Sequence, residues 1–332
     1  MSKFETELHE FIKKTYDELK DNMDGKVADY IPQLSKMDPK SFGIAACLLD
    51  GNIIEVGDTN VEFCLQSCSK PLNYCIARER FGKEKVHNHV GYEPSGREFN
   101  AFILNDKGLP HNPMINAGAI MTCSLLNRMD EYDEPAKRYD MIMDYYKRMS
   151  GNIGKIGFDN NVYLSEKHHA DRNISLAYYM RENKAFGKEG IDPSRIQDIL
   201  EYYFQCCSIN ITCKIGSVLA GTLANGGICP VSGKRVFSIE TVKDTLSLMY
   251  MCGMYDYSGQ FAFEIGLPAK SGVSGCLLLV VPNKMGICIW SPPLDKVGNT
   301  VRGIEFCKKL IYKSPWNFHI FHNIFDKSKN DE

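Results

Sequence analysis

A serine and a lysine stand three residues apart within the apolar stretch FCLQSCSKPL, residues 63–72. On a helix, residues at this spacing share a face, with Cβ atoms about 5–6 Å apart, so Ser67 and Lys70 could form a hydrogen bond. A serine hydroxyl becomes a nucleophile when a base takes its proton, and a lysine can be that base when burial or a nearby cation lowers its pKa. The spacing therefore indicates a nucleophilic Ser67, near the start of a helix over 67–80, with Lys70 as its base.

A second motif, Lys-Ser-Gly at 270–272, strengthens this interpretation. Serine acyl-transfer enzymes of the penicillin-binding and β-lactamase type combine Ser-x-x-Lys with a Lys-Ser/Thr-Gly on a strand beside the nucleophile. The backbone after Lys270 could donate to an oxyanion, and a charged Lys270 could keep Lys70 deprotonated. Their third motif, Ser-x-Asn, is matched in letters at 150–152, but the surrounding MSGNIG is typical of a turn after a helix.

The elements that must position these motifs are two hairpins and a series of helices. Residues 42–57 predict two strands around Asp50-Gly51, and residues 273–292 predict a second hairpin around a Pro-Asn-Lys-Met-Gly turn. Between them, apolar residues recur at three- and four-residue spacing. This spacing predicts helices over 67–80, 114–129, 135–149, 173–184, 192–207, 212–225 and 238–251.

Because the strands come from both chain ends and hairpins are antiparallel, the pattern predicts an α/β fold of the α+β kind. Its antiparallel sheet would be flanked by terminal helices at about 5–20 and 300–312, with a helical subdomain inserted. We expect a single domain over 1–332. Its sheet subdomain would cover about 25–62 and 265–312, its helical subdomain about 63–264, and a frayed tail about 320–332.

Composition excludes several functional classes. The 39 lysines and arginines nearly balance the 41 aspartates and glutamates, so the sequence predicts no nucleic-acid partner. No apolar run approaches the roughly 20 residues of a membrane span, and none is expected. The 13 cysteines are odd in number and scattered, which favours reduced thiols, and they show no zinc-site spacing. We therefore expect a cytoplasmic protein without a metal, or a mitochondrial one if a targeting segment has been removed.

Taken together, nine stretches closely resemble the serine-dependent glutaminases, a family with a serine β-lactamase/D,D-peptidase-like fold. The likeness spans about residues 25–310. The stretches are KVADYIPQL, FCLQSCSKPL, HNPMINAGAI, SEKHHADRN, EYYFQCCSI, TLANGG, CGMYDYSGQFAF, GLPAKSGVSG and WSPPLDKVGN.

The resemblance implies hydrolysis of L-glutamine to L-glutamate and ammonia without a metal or organic cofactor. The family's nucleophile falls on Ser67 and its base on Lys70. Its proton-relaying tyrosine falls on Tyr255, with Tyr30 close by, so the catalytic set is Ser67, Lys70, Tyr255 and Tyr30. The resemblance places the two oxyanion donors on the backbone N–H groups of Ser67 and Val273.

The resemblance also implies a pocket for a free amino acid. Glu166 is assigned to the substrate ammonium, and Asn116, Asn173 and Tyr203 to its polar ends. Gln66, next to the nucleophile, is expected to line the pocket. The substrate-binding set is completed by Ser67, Tyr255 and Val273.

The segment FNAFILNDKGLPHNP, residues 99–113, resembles the region that couples oligomerisation and phosphate activation in the animal enzymes. We therefore expect a homo-oligomer, dimer or tetramer, and phosphate activation stays open. Two alternative functions also stay open. The first is a β-lactamase- or D,D-peptidase-like acyl hydrolase, which would turn over nitrocefin, and the second is a non-catalytic amino-acid sensor, which would bind glutamine without releasing ammonia.

Overall fold

The computed structural model describes residues 2–128, 134–187 and 191–325. The helices of this part of the chain are α1 (Lys3–Leu19), α2 (Ser69–His87), α3 (Asn116–Asn127), α4 (Pro135–Met149), α5 (Asn160–His168), α6 (Asp171–Glu182), α7 (Pro193–Cys207), α8 (Cys213–Ala224), α9 (Ile239–Cys252), α10 (Ser258–Glu264), α11 (Val301–Tyr312) and α12 (Ile320–Phe325). Within these ranges, no helix combines the length and apolar character needed to cross a membrane.

The strands are β1 (Gly43–Leu48), β2 (Ile53–Gly57), β3 (Phe63–Cys64), β4 (Gly157–Phe158), β5 (Ile209–Ile211), β6 (Ala269–Ser271), β7 (Cys276–Val281) and β8 (Met285–Trp290). Five of them form an antiparallel sheet in the order β2-β1-β8-β7-β6. Strands β1 and β8 pair along their whole length, from Gly43 opposite Trp290 to Leu48 opposite Met285. The two chain ends therefore meet in one sheet, and the predicted fold class is confirmed.

Both faces of this sheet are covered, which explains why its central strands are apolar without interruption. In β1, Ile44, Ala46 and Leu48 point into a core shared with α1 and α11. Ala45 and Cys47 point into the larger core of the inserted helices. Since successive side chains alternate between the two faces of a strand, a strand buried on both faces needs apolar residues at every position.

Helix α8 packs closely against the middle of β8. A Cβ atom added at Gly286 would collide with the backbone of Gly221 on α8. Glycine at this position therefore allows the helix and the strand to make backbone contact. This contact fixes the inserted helical region against the sheet that carries β6.

The inserted region is helical as predicted, and six of the seven predicted helices begin and end within two residues of the expected positions. Helix α2 extends seven residues beyond its predicted end, and α5 and α10 were not predicted. The turn expected at 150–152 is also present, since Gly151 and Asn152 both have positive φ values after α4. A second, small sheet in the order β3-β5-β4 was not predicted. Its strands have two or three residues each, too short for an alternating pattern to be detected.

The chain after residue 320 was expected to be a frayed tail. Its first part forms the short helix α12, which follows the aromatic cluster of Trp316 and Phe318. The remaining residues, 326–332, lie outside the described residues.

Candidate active site

Ser67 lies in a short 3-10 turn, Gln66–Cys68, between β3 and α2. The sequence predicted that Ser67 opens the helix itself, and this detail is wrong. Gln66 has a φ of 49°, in the left-handed region that residues other than glycine rarely adopt. The chain therefore leaves β3, turns sharply at Gln66 and presents Ser67 ahead of the first residue of α2, Ser69. Unusual backbone geometry of this kind is concentrated at functional sites.

Lys70 is buried in the first turn of α2, with 2% of its surface exposed. Its Nζ donates a hydrogen bond of 2.7 Å to Oδ1 of Asn116. Burial lowers the pKa of Lys70 from its ordinary value of 10.5 to about 8, because an apolar environment disfavours the charged form. Near neutral pH a fraction of Lys70 is therefore uncharged, as a general base must be.

Asn116, the first residue of α3, connects Lys70 to two other predicted site residues. Its Nδ2 donates to Oδ1 of Asn173 at 3.0 Å, and the hydroxyl of Tyr203 lies 3.5 Å from its Oδ1, at the outer limit of a hydrogen bond. The structure thus brings Asn116, Asn173 and Tyr203 together, as the sequence predicted. It also shows that Asn116 contacts Lys70, a contact the sequence did not indicate.

Lys270 lies fully buried in β6, the short edge strand that carries the Lys-Ser-Gly motif. Its Nζ donates to the carbonyl of Ser271 at 2.7 Å and lies 4.5 Å from the centre of the Tyr255 ring. Burial, and secondly the charge of Lys70, lower the pKa of Lys270 to about 7. The sequence analysis predicted that a charged Lys270 helps to keep Lys70 deprotonated. The charge of Lys70 contributes to the lowered pKa of Lys270, whereas the lowered pKa of Lys70 comes mainly from its own burial.

Tyr255 also has unusual backbone geometry, with a φ of 55°. Its hydroxyl is buried and makes no hydrogen bond of regular geometry among the described residues. Burial raises the pKa of this phenol, and the adjacent Ser67 hydroxyl acts in the opposite direction. The Tyr255 hydroxyl is therefore placed to interact with Ser67.

The end of β6 approaches the nucleophile turn very closely. A Cβ atom added at Gly272 would lie 2.7 Å from the carbonyl oxygen of Leu65, so glycine is what allows this approach. Next along the chain is Val273, whose N–H has no hydrogen-bond acceptor among the described residues. The N–H of Ser67 likewise has none. Both residues line the same cavity, and unpaired backbone N–H groups of this kind are the donors that an oxyanion site uses.

Glu166 forms an acidic pole in the site. The hydroxyl of Tyr30 lies 2.5 Å from Oε1 of Glu166 and 2.9 Å from Oε1 of Gln66. Since a phenol carries one hydrogen, it donates to the carboxylate, and a Gln66 amide turned by 180° can donate to the phenol oxygen. Burial raises the pKa of Glu166, and the hydrogen bonds from Tyr30 and Gln66 oppose this.

Tyr30 was expected to assist the proton transfers together with Tyr255. Its side chain is 49% exposed, and its hydrogen bonds go to Glu166 and Gln66. Within the described part of the chain, no hydrogen bond joins it to Ser67 or Lys70. The structure therefore places Tyr30 beside the Glu166 carboxylate.

A cavity of about 270 Å³ unites most of these groups. Eight predicted site residues line it: Tyr30, Gln66, Ser67, Asn116, Glu166, Asn173, Tyr203 and Val273. Lys70 lies behind this wall, and Tyr255 lines a neighbouring cavity. Five further lining residues were not predicted: Phe99, Asn100, His169, Arg172 and Cys207.

Some of these additional residues carried a detectable signal. His169 follows Glu166 by three positions and Cys207 follows Tyr203 by four, spacings that place side chains on one face of a helix. Phe99 and Asn100 lie on a loop between α2 and α3, where no periodicity relates them to the motifs. Their presence in the cavity depends on the tertiary fold.

A model of the glutaminase family matches residues 25–321. The chain belongs to the glutaminase family. It is 50% identical over 313 residues to the mitochondrial liver isoform of glutaminase from Mus musculus, covering 94% of this chain and 50% of that protein. It is 39% identical over 300 residues to a glutaminase from Nostoc sp., covering 90% and 86%. The chain spans about half the length of the first curated relatives that it matches.

The fold is shared with solved glutaminase structures. The probable glutaminase YbaS superimposes with a TM-score of 0.84 at 32% identity, covering 92% of this chain and 96% of that one. The family and the serine β-lactamase-like fold predicted from the nine sequence motifs are thereby confirmed.

Proposed function

We propose that this chain hydrolyses the side-chain amide of L-glutamine to L-glutamate and ammonia through a glutamyl ester on Ser67. The observation that carries the proposal is the composition of the cavity. Its lining includes Ser67 and the buried carboxylate of Glu166, and its Asn116 accepts a hydrogen bond from the buried Lys70, whose pKa is lowered. A free amino acid presents an ammonium to such a carboxylate. Membership of the glutaminase family supports the same substrate.

In the first half-reaction, uncharged Lys70 takes the proton of the Ser67 hydroxyl as its oxygen attacks the amide carbon. The Lys70 amine donates one hydrogen to Asn116, so its lone pair is free to point at Ser67. The backbone N–H groups of Ser67 and Val273 are the proposed donors to the tetrahedral oxyanion. Such preorganised donors contribute about 3–4 kcal/mol each in related chemistry.

Collapse of the intermediate breaks the carbon–nitrogen bond and requires a proton on the leaving nitrogen. Tyr255 is the proposed relay for this proton from Lys70, because its buried hydroxyl faces Ser67 and makes no other regular hydrogen bond. Ammonia leaves, and water then attacks the glutamyl ester with the same groups acting in reverse order. The Ser67 hydroxyl and glutamate are released.

Recognition of the amino acid is assigned to the remaining polar residues. We assign the substrate ammonium to Glu166, whose carboxylate is oriented by Tyr30 and Gln66. Asn173 and Tyr203 are proposed partners of the substrate carboxylate and side-chain amide. Asn116 is proposed to have two roles. It contacts the substrate, and it positions Lys70 through their hydrogen bond.

Assembly, regulation and location belong to the same proposal. A homo-oligomer, dimer or tetramer, is supported by the likeness of residues 99–113 to an interface region of the family. Part of that segment lines the active-site cavity through Phe99 and Asn100, so an anion that acts on it could alter activity.

All 13 cysteines are free and buried, in line with a reducing cytoplasmic location, although the name of the mouse relative places that protein in mitochondria.

The deciding experiment is ammonia release from L-glutamine by the purified chain and its Ser67→Ala variant, with and without phosphate. We expect release by the native chain only and glutamine binding by both in calorimetry. Ser247→Ala, an exposed serine on α9, is the matched control and should keep native activity. Glutamine binding without ammonia release would favour the sensor function, and nitrocefin turnover the β-lactamase-like one.

A further inference from the structure

A second cavity of about 360 Å³ adjoins the active-site cavity. Phe99 lines both cavities, and its ring packs against the ring of Tyr255, which lines the second cavity, with centroids 5.0 Å apart. The inner wall of the second cavity includes the buried Met114. Its outer rim includes the exposed Met251 and Gly259. We call this space the release chamber. It extends from the solvent-exposed rim to the tyrosine that faces Ser67.

The active-site cavity is occupied at the moment when ammonia forms. If the proposed function is correct, the glutamyl group is then esterified to Ser67 and extends to Glu166 within the 270 Å³ cavity. Ammonia formed beside Tyr255 would have to pass this group in order to leave on the substrate's side. On the other side of the Phe99–Tyr255 pair lies the release chamber, which the bound substrate would not occupy.

We propose that ammonia leaves, and the attacking nucleophile arrives, through the release chamber, which accepts small uncharged amines as well as water. This inference rests on the proposed function of the first cavity. The same group that protonates the leaving nitrogen must deprotonate the incoming nucleophile, so both must occupy the position beside Tyr255. The charged lining residues, Arg97 and Asp256, are exposed. The apolar side chains of Met114 and Phe99 also line the chamber and favour neutral ammonia over ammonium, because a charge is costly to desolvate.

Hydroxylamine is the probe for this route. Its nitrogen attacks the ester carbon, the bond between that carbon and the Ser67 oxygen breaks, and one nitrogen proton passes to that oxygen. The products are γ-glutamyl hydroxamate and free Ser67. The ratio of hydroxamate to glutamate therefore reports how well an amine competes with water at the ester. O-Methylhydroxylamine repeats the reaction with a larger nucleophile.

The test fills the release chamber without touching the catalytic groups. Met251→Trp enlarges a rim side chain that is 37% exposed on α9. Gly259→Leu adds a side chain on α10 where a new Cβ meets no atom within 4 Å. The matched control is Ile239→Trp, an exposed apolar residue at the opposite end of α9, about 18 Å away along the helix.

In both filled variants we expect the hydroxamate-to-glutamate ratio to fall at least about threefold, and further for O-methylhydroxylamine. The kcat/KM for glutamine should stay within about twofold, because this parameter covers steps up to acylation. The control should keep the native ratio. If both filled variants are active and keep the native hydroxamate-to-glutamate ratio, the proposed route through the release chamber is wrong, and the proposed function is unaffected. A native chain that releases no ammonia would overturn the proposed function as well.

Discussion

Lys70 and Asn116 are joined by a buried hydrogen bond of 2.7 Å between Nζ and Oδ1. An amide oxygen can only accept, so Lys70 must donate to it in either protonation state. When Lys70 is uncharged, the bond therefore directs its lone pair away from Asn116. Because the amide is neutral, it orients the amine without adding the negative charge that would keep Lys70 protonated. The pair thus combines a fixed geometry with a lowered pKa.

Asn116→Asp should test this combination directly. A carboxylate beside Nζ would favour the ammonium form and raise the pKa of Lys70 above about 8. With Lys70 as the proposed base, the reaction needs its uncharged form. The acidic limb of the kcat/KM profile should therefore move at least about one pH unit upward, and activity at pH 7 should fall about tenfold or more. A pH–rate profile from pH 6 to 10 measures the shift.

The control for this charge change is Asn161→Asp, which adds the same charge at an exposed position on α5. It should leave the acidic limb at its native position. An Asn116→Asp enzyme with an unmoved acidic limb would show that Lys70 is not the group whose ionisation limits the reaction.

Lys270→Met separates the roles of the two buried lysines. Burial is the main cause of the lowered pKa of Lys70, about 8, and the charge of Lys270 is not among the main causes. Removing it should move the acidic limb by less than about half a pH unit. If the limb instead rises by about a full unit, a charged Lys270 does control Lys70, as the sequence first suggested. Circular dichroism and thermal melting should confirm that the variant is folded.

Much of the fold follows from local sequence pattern. The hairpins of β1–β2 and β7–β8 were predicted because Gly51 and the turn at 282–284 interrupt runs of strand-forming residues. The small β3-β5-β4 sheet was not predicted, since strands of two residues carry no periodicity. The turn at Gln66 was missed for a related reason. Its left-handed backbone occurs where β6 approaches closely, at Gly272 beside Leu65, and no local residue type indicates it.

The site was predictable where side chains belong to the motifs and unpredictable where they meet across the fold. Ser67, Glu166 and Asn173 were predicted from motifs, and all three line one cavity. The hydrogen bonds from Lys70 to Asn116 and from Tyr30 to Glu166 link residues 46 and 136 positions apart. Such pairings depend on how the helices pack, and nothing in one sequence specifies them.

Glu166→Gln should weaken glutamine binding and spare the fold. The neutral amide removes the charge assigned to the substrate ammonium, so KM should rise about tenfold or more, with a smaller change in kcat. Burial already disfavours the Glu166 carboxylate, so thermal stability should stay equal or increase. Steady-state kinetics and a thermal melt provide the two readouts.

The matched control is Glu201→Gln, since Glu201 is partly exposed on α7 and paired with Lys167 at the surface. It should keep the native KM. A loss of stability in Glu166→Gln without a change in KM would make Glu166 a structural residue and remove it from substrate recognition.

Lys70→Met should abolish activity and change how stability depends on pH. In the folded state the pKa of Lys70 is about 8, and its ordinary value is 10.5. Between these values the unfolded chain holds a proton that the folded chain has lost, so unfolding takes up protons. Native stability must then rise with pH across this window, because stability rises wherever the unfolded state binds more protons. Methionine removes the titrating group and with it this contribution.

The stability of Lys70→Met relative to the native chain should therefore decrease by about 2 kcal/mol between pH 8 and pH 10. Urea unfolding at intervals of half a pH unit would measure it. The loss of the hydrogen bond to Asn116 lowers the stability of the variant by the same amount at pH 8 and at pH 10. It therefore does not affect the change in relative stability between the two pH values. Lys147→Met, at an exposed lysine of α4, should show no such trend. A pH-independent difference for Lys70→Met would mean that the folded-state pKa of Lys70 is ordinary. It could not then serve as the base proposed for Ser67.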